Sequence, residues 1–590
     1  MTNKTSISAG SLPSRCWLAI VSVSLCAILI QNVQAQDSQS ASPQPNDVVR
    51  DAAAQSQEPA ESAIKNSKAK ESNRAQKTKG STALGRVFID LDNDGKFSDN
   101  DSPFVKVKVS NGKDIVLTDE FGKYELPVEN DSAIFVIKPM GYRTALTKDN
   151  LPKFFYLHKP DGSPQFKFAG VAPTGSLPQS IDFPLYAQNE PDAFKILLFG
   201  DPQPRNQKEV DYITHDVVSE LIGDNSAFGV TLGDIAFDNL DTFKTLNQSI
   251  AMIGIPWYNV IGNHDLNLDA KTRKNINETF ESTYGPSYYS FDYGQVHFVV
   301  LDNIDWSVDP KPHYMANFGK QQMAFLEKDL SMIPETQMVV LLMHIPIMKA
   351  GDKAEFFKLI EKRPYCVSVS GHTHDHRHLF LGKKDGFNGE KPHHHIVNVT
   401  VSGSWWTGAK NDNGIPHATM SDGAPNGYSI MNFDANGYRL DFKAAGHAAS
   451  EQMRVEVPNT VDTNKTAETD VWVNVFNGSE KSTVQMAVDN SGDWITLEKK
   501  MAIDPHYKNL VERDANVVPK PARATKSYHL WTAKLPAGIS PGAHLLRVQT
   551  TDMHGRNYFA HRSIRVTGTP VPKATDTEET TDAAPTTKNK

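Results

Sequence analysis

The chain has almost no cysteine. Cys16, Cys26 and Cys366 are the only three in 590 residues, so a disulfide framework is excluded as the source of stability. A chain this long does not need one, because two to four domains can each bury an adequate core. Cys366 lies in an apolar run and reads as a buried strand residue rather than a nucleophile. A basic excess is also lacking. Lys and Arg number 61 against 69 Asp and Glu, a formal net charge of −8, so no global positive field points to nucleic acid. Long apolar runs are missing too. The longest, Cys16–Ile30, has fifteen residues, short of the ~20 that a membrane span needs. No internal repeat of solenoid or propeller period is visible.

The first residues nevertheless carry a pattern. Lys4 and Arg15 precede the apolar stretch, and Val33-Gln34-Ala35 follows it as a small-residue cleavage site. This is the arrangement of a secretory signal over residues 1–35. A secreted, periplasmic or cell-surface protein is expected, with no transmembrane segment in the mature chain; an uncleaved anchor is the competing reading. Leu25 stands before Cys26 where a lipoprotein signal would want a small residue. Residues 36–82 are mainly Ala, Ser, Gln, Lys and Glu. They offer too little apolar surface to order themselves, so a disordered linker is expected there, and a disordered tail over 568–590.

Residues 83–187 change character. GRVFIDL and VKVKVSNG alternate apolar with polar, and TDEFGKYELPV adds a further strand after a turn. Short strands punctuated by Gly, Asn, Asp and Pro suggest a small β-sandwich domain. Between the first two strands, Asp90, Asp92, Asp94, Gly95 and Asp101 fall at positions 1, 3, 5, 6 and 12 of a calcium-loop spacing. Carboxylates at alternate residues can curl around a hard cation, and the Gly permits the sharp turn. No helices flank the loop, so it is not an EF-hand. It resembles the calcium-carrying β-sandwich repeats of bacterial surface proteins. Asp90, Asp92, Asp94 and Asp101 are therefore candidate calcium ligands, with a metal-free acidic turn as the alternative.

From Pro191 strands alternate with helices, which argues for an α/β architecture. RNQKEVDYITHDVVSELI places Val210, Ile213, Val217 and Leu221 at helical spacing, and its His215 reads as a helix residue. KQQMAFLEKDLSMI and AEFFKLIEKR are further amphipathic helices. Five apolar strands end in polar clusters: FKILLFGDPQ, FGVTLGDIAFD, WYNVIGNHD, MVVLLMHIP and YCVSVSGHTH. Open α/β sheets bind ligands outside the carboxyl ends of their strands, so the five clusters are expected to share one rim. HHIVNVTVSG and GYSIMNFDANGYRLDFKAAG read as strands joined by a turn at Asn436-Gly437, completing a domain over 191–447. His393–His395 are expected to alternate faces. Residues 450–567 form a run of short strands, an all-β module of immunoglobulin-like size with His529 and Trp531 in its core.

The ordered set DPQ, GD, GNHD, H and GHTH over Lys195–His374 is similar to the calcineurin-like metallophosphoesterase superfamily. The flanks resemble the N- and C-terminal domains of a subgroup of it. The resemblance implies an α/β fold built as a two-sheet β-sandwich flanked by helices, with metals at one rim. It implies a dinuclear site of two divalent or trivalent ions that clamps a phosphoryl group and holds a hydroxide for in-line attack. Carried over residue by residue, Asp234 matches the bridging carboxylate. Asp201, Gln203 and His374 match the first metal, and Asn263, His344 and His372 the second. Mixed oxygen and imidazole ligands suit Mn, Fe or Zn. Gln203 departs from the usual His of the family, and reads either as a ligand or as a hydrogen bonder behind the ligands. His264 matches the catalytic His, with Asp238 as the carboxylate that would orient it. The GDxxDRG pattern has its Asp one residue earlier, where this chain has Phe237, and its Arg is absent. Asp265 reads as a loop cap.

His376 and Arg377 either reach a substrate phosphate or form a solvated loop. Trp405 and Trp406 either wall a cleft or pack between domains. The expected protein is an exported hydrolase of phosphate mono- or diesters acting on a small phosphorylated substrate, with no specific nucleic-acid signal and no protein partner indicated. The alternative is a surface or binding module with a weakened metal site.

Overall fold

FKILLF, GVTL and WYNV are apolar at consecutive positions, a pattern that fits strands covered on both faces. In the computed structural model, which describes residues 81–309 and 311–568, these runs are the strands Ala193–Phe199, Gly229–Leu232 and Trp257–Val260. The expected signal over 1–35 lies outside the described residues, as do nearly all of the linker over 36–82 and of the tail over 568–590.

The three strands run parallel, and Gly427–Asp434 and Gly437–Ala444 extend the sheet antiparallel beyond Ala193–Phe199. A second sheet has the order Tyr289–Tyr293, Val296–Val300, Met338–Leu342, Cys366–Ser370, His393–Val397, Arg377–Leu381. Side chains alternate across each strand. Ile196 and Leu198 join Phe298, Val340 and Val367 in one core cluster, while Leu197 and Phe199 join Val210, Ile213 and Leu246 in another that includes the helices. The central region is thus an α/β two-sheet sandwich flanked by helices. Helix Gln207–Asp216 begins at Asn206, whose side chain accepts the Glu209 N–H, and buries Val210 and Ile213. His215 sits exposed in its last turn.

Residues upstream form two further sheets, one built on Ser81–Ile89 and one on Lys108–Ser110 and Ser132–Val136. This β-module does not keep a core of its own. Phe135 and Phe154 belong to the same cluster as Ile196 and Phe298, with Phe135 against Phe325 and Phe154 against Tyr289 at ring separations of 5.9 and 4.6 Å. From Met453 to Thr567 a four-stranded and a five-stranded sheet enclose a separate core containing Trp531 and Val484. Among the described residues no helix is long and apolar enough to cross a membrane.

Two expectations change in detail. Asp434 pairs with Gly437, so the hairpin turn is Ala435-Asn436, with Ala435 at φ +51°; the Gly starts the return strand instead of sitting in the turn. In the acidic loop, oxygens of Asp90, Asp92 and Asp94 come within 4.8 Å of one another. Asp101 is not in that group; its two oxygens accept the Leu91 and Ser98 N–H groups, as those of Asp90 accept the Asn93 and Gly95 N–H groups.

His297 is fully buried between two carboxylates, Nδ1 2.7 Å from Asp292 and Nε2 2.9 Å from Asp329. Burial opposes its charge, but Asp329 and Asp292 outweigh it and raise the imidazole to about 9. A raised folded value stabilises fully below the ordinary ~6.5 and loses that contribution as pH rises through the folded value. Melting temperature should therefore fall as the pH is raised from neutral through about 9. His297→Gln should be less stable at neutral pH and should flatten that decline; an unchanged slope would contradict the charged triad.

Candidate metal centre

Each polar cluster is delivered by a strand that ends at the same rim. Asp201 and Gln203 follow Ala193–Phe199, Asp234 follows Gly229–Leu232, and Asn263 follows Trp257–Val260. His344 follows Met338–Leu342, and His372 and His374 follow Cys366–Ser370. The loops are tight. A Cβ on Gly262 would lie 2.0 Å from the Asp234 nitrogen, and one on Gly371 would lie 2.5 Å from Asp201 Oδ1. Asp201, Gln203, Asp234, Asp238, His372 and His374 all have left-handed backbones, with φ between +38° and +76°. Such conformations cost about 1–3 kcal/mol each and gather at functional sites.

Acceptor atoms converge here. His344 directs Nδ1 to the Leu232 carbonyl at 2.8 Å, which leaves Nε2 3.1 Å from Asn263 Oδ1 and 3.2 Å from Asp234 Oδ2. His372 Nδ1 is 3.3 Å from the same Nε2. Gln203 Nε2 donates to the same Asp234 Oδ2 at 2.7 Å, while its Oε1 is buried with no hydrogen-bond partner; Asp234 Oδ1 accepts the His264 N–H at 2.9 Å. His374 donates Nδ1–H to the Gly403 carbonyl at 2.6 Å, and its Nε2 lies 3.6 Å from Asp201 Oδ2. The tautomers set by Leu232 and Gly403 turn the Nε2 lone pairs inward, as metal-binding imidazoles require.

The electrostatics agree with that geometry. Burial, reinforced by the neighbouring Asp234, pushes Asp201 up to about 7. Burial drives His374 down to about 4 and His372 well below its ordinary value, so both are neutral imidazoles. His344 is raised to about 9, Asp234 and Asp201 prevailing over burial. An orphaned amide oxygen, crowded carboxylates and the neutral His372 and His374 rings make a region that attracts positive charge, as the raised His344 also shows; a divalent cation would displace the His344 proton, and the donor set fits such an ion.

Beside this cluster, His264 Nδ1 lies 2.8 Å from Asp238 Oδ1, and the Phe237 ring stacks on the imidazole at 4.3 Å. Burial opposes protonation of His264, but Asp234 and Asp238 raise it to about 9. The one-residue offset from GDxxDRG thus does not prevent the pairing: Phe237 occupies the ring face while Asp238 reaches the nitrogen. Asp265 accepts N–H bonds from Ile235, Ala236 and Gly262, and so caps the Asp234 loop as expected.

Residues 194–376 match the family model described as calcineurin-like phosphoesterase. Residues 91–171 and 395–558 match the models for the N terminal and C terminal of calcineurin-like phosphoesterase. The chain belongs to the calcineurin-like phosphoesterase family. It is a metal-dependent phosphoester hydrolase of the subgroup with extra modules at both ends. Among solved structures it is similar to purple acid phosphatase PPD1 from seeds of yellow lupin (Lupinus luteus), with 13% identity and a TM-score of 0.32 over 58% of this chain and 67% of that one. No curated protein matches it.

The remaining candidates in this phosphoesterase separate. His376 does not reach an open surface. It is fully buried, with Nε2 2.9 Å from Asn477 Oδ1, because the C-terminal module covers it. Arg377 is paired with Asp375 at 2.9 Å and lies 4.1 Å over the Tyr528 ring. The two tryptophans divide: Trp406 is buried against Tyr212, whereas Trp405 stacks on His374 at 4.3 Å. His393 and His395 bond Ser368 while His394 faces His378 and Tyr438, so the three alternate as expected. Sequence reasoning missed the Phe237 stack, the Gly403 carbonyl, and Arg205, which donates to the Trp405 carbonyl. Only Arg205 carried a signal, as a lone cation two residues after Gln203 in DPQPR.

Gly262→Ala should weaken metal uptake, because its methyl cannot fit against the Asp234 loop, at a stability cost of about 1–3 kcal/mol. Elemental analysis of the folded variant checks this; full metal content would show that the loop can relax.

Proposed function

We propose that the chain is an exported phosphoesterase with a dinuclear site. Asp234 bridges; Asp201, Gln203 and His374 hold one cation, and Asn263, His344 and His372 hold the other. The observation that carries this reading is the meeting of Asp234 Oδ2, Asn263 Oδ1, His344 Nε2 and His372 Nδ1 at one point of the rim, beside the unpartnered Gln203 oxygen. Gln203 serves in both of its expected roles: its nitrogen supports Asp234 while its unpartnered oxygen faces a cation. Mn, Fe or Zn suits these donors. Bound cations would neutralise phosphoryl oxygens and lower the pKa of an attacking water.

The protein residues supply the rest. Asp238 fixes the His264 ring through Nδ1. That leaves Nε2 to donate a proton to the departing alcohol oxygen of a phosphate mono- or diester. Asp265 keeps the Asp234 loop in its strained form by taking up three backbone N–H groups. Export rests on the N-terminal pattern over residues 1–35, which N-terminal sequencing of the mature protein tests.

His264→Ala should retain both metals and lower kcat by about 10²–10⁴. The loss should be smaller for nitrophenyl esters, whose leaving group needs little protonation. An equal loss for alkyl and nitrophenyl esters would make His264 an electrostatic stabiliser instead, and loss of metal would make it a ligand. Metals without turnover in the wild type would favour the binding-module reading.

We also propose calcium binding at Asp90, Asp92 and Asp94, whose oxygens are brought together in the N-terminal module. Calcium should then raise the melting temperature of the full chain, since binding favours only the folded loop. Asp92→Ala with Asp94→Ala should abolish the increase; a melting curve indifferent to calcium contradicts the site.

A further inference from the structure

The segment 402–426 lies between the rim and the C-terminal module, and it touches both. On the rim side, Ser402 Oγ donates to the Asp201 carbonyl at 2.7 Å, and the Gly403 carbonyl accepts His374 Nδ1–H at 2.6 Å. Asp422 Oδ2 accepts the His376 N–H at 2.9 Å, two residues beyond His374. These contacts reach the segments carrying Asp201 and His374, both assigned to the first cation.

On its other side the segment is held at several places, among them Ser421 to Thr525 and the Asp422 carbonyl to Asn474, and three of them involve ionisable or phenolic side chains. Tyr507 Oη donates to the Ala522 carbonyl at 2.9 Å and lies 3.3 Å from Ser404 Oγ, whose hydroxyl can donate to it. Asp514 Oδ2 accepts the Ala409 N–H at 2.8 Å and faces His417 Nε2 at 2.9 Å. His529 Nε2 meets Asp422 Oδ2 at 2.9 Å, with both side chains fully buried. The segment could not hold this course unaided. Trp405 and Trp406 are consecutive left-handed residues at φ +60° and +54°, and a Cβ on Gly403 would lie 1.4 Å from the Ala418 carbonyl. Strain of this kind persists only where the surroundings over-determine it.

We propose that the C-terminal module is a positioning element for the first cation site alone. Through Tyr507, Asp514 and His529 it fixes the segment whose Gly403 carbonyl sets the tautomer and direction of the His374 ring. Removing a partner that orients a metal-binding His costs about 10–100-fold in affinity. In the second site His344 takes its ring orientation from Leu232 and Asn263 stands at the end of Trp257–Val260, both within the central sheets, so that site should be much less affected. This inference rests on the dinuclear reading above.

The test is a Mn²⁺ titration of the full chain, followed by electron paramagnetic resonance of the free ion. Wild type should take up two ions, and Asn263→Ala identifies the second site's step. Tyr507→Phe with Asp514→Ala should weaken the other step by about tenfold or more and leave the second in place. Val484→Ala, in the core of the same module, should lower the melting temperature without moving either step, which separates positioning from general stability. If the double variant does not fold, Tyr507→Phe alone should show a smaller shift in the same step. Unchanged steps in a folded variant overturn the inference and leave the dinuclear reading standing. A wild type that takes up fewer than two ions overturns both.

Discussion

Lone pairs that face lone pairs repel unless a positive charge lies between them. At the rim of this fold the oxygens of Asp201, Asp234 and Asn263 crowd together with the ring nitrogens of His344, His372 and His374, and the Gln203 oxygen stands unpartnered beside them. Much of the catalytic region can be understood as the apparatus that holds them there. The strands behind are apolar on both faces and packed against helices on one side and the opposite sheet on the other. The ligand loops are consequently anchored at rigid ends and can sustain the left-handed backbones at six of the site's residues. Asp and Asn tolerate that region better than most residues. His shares that tolerance; Gln203 does not, so its conformation depends on the surrounding packing.

Much of this was legible in the sequence for a physical reason. A strand covered on both faces shows a continuous apolar run, and a metal loop at its end shows as an abrupt change to Asp, Asn or His. WYNVIGNHD contains both signals in nine residues. Less legible were contributions made by backbone atoms or by distant segments. Gly403 acts through its carbonyl, which leaves no trace in residue identity. His376 follows the GHTH turn, where residue identity allows either a substrate contact or a solvated loop, and the C-terminal module buries it instead. Asp101 fits a calcium-loop spacing, yet its oxygens bond the Leu91 and Ser98 N–H groups outside the cluster formed by Asp90, Asp92 and Asp94. Spacing reports which residues can meet; it does not report which partners are already taken.

The flanking modules differ in how they join the centre. The N-terminal module shares its core with the central sheets through Phe135 and Phe154, so the two are expected to unfold together. The C-terminal module keeps its own core and meets the centre through polar contacts, among them His529 with Asp422 and Asn477 with His376 and His378. The family match for the C-terminal part begins at residue 395, inside the strand His393–Val397 that belongs to the second central sheet. The sequence family and the packed core therefore divide the chain at different places, and the segment 402–426 lies where they overlap.

The most direct measurement is anomalous diffraction from crystals grown with Mn²⁺ or Zn²⁺. The account predicts two peaks flanking the Asp234 carboxylate, one bordered by Asp201, Gln203 and His374 and the other by Asn263, His344 and His372. A single peak, or peaks whose ligands do not include Asp234, would contradict it.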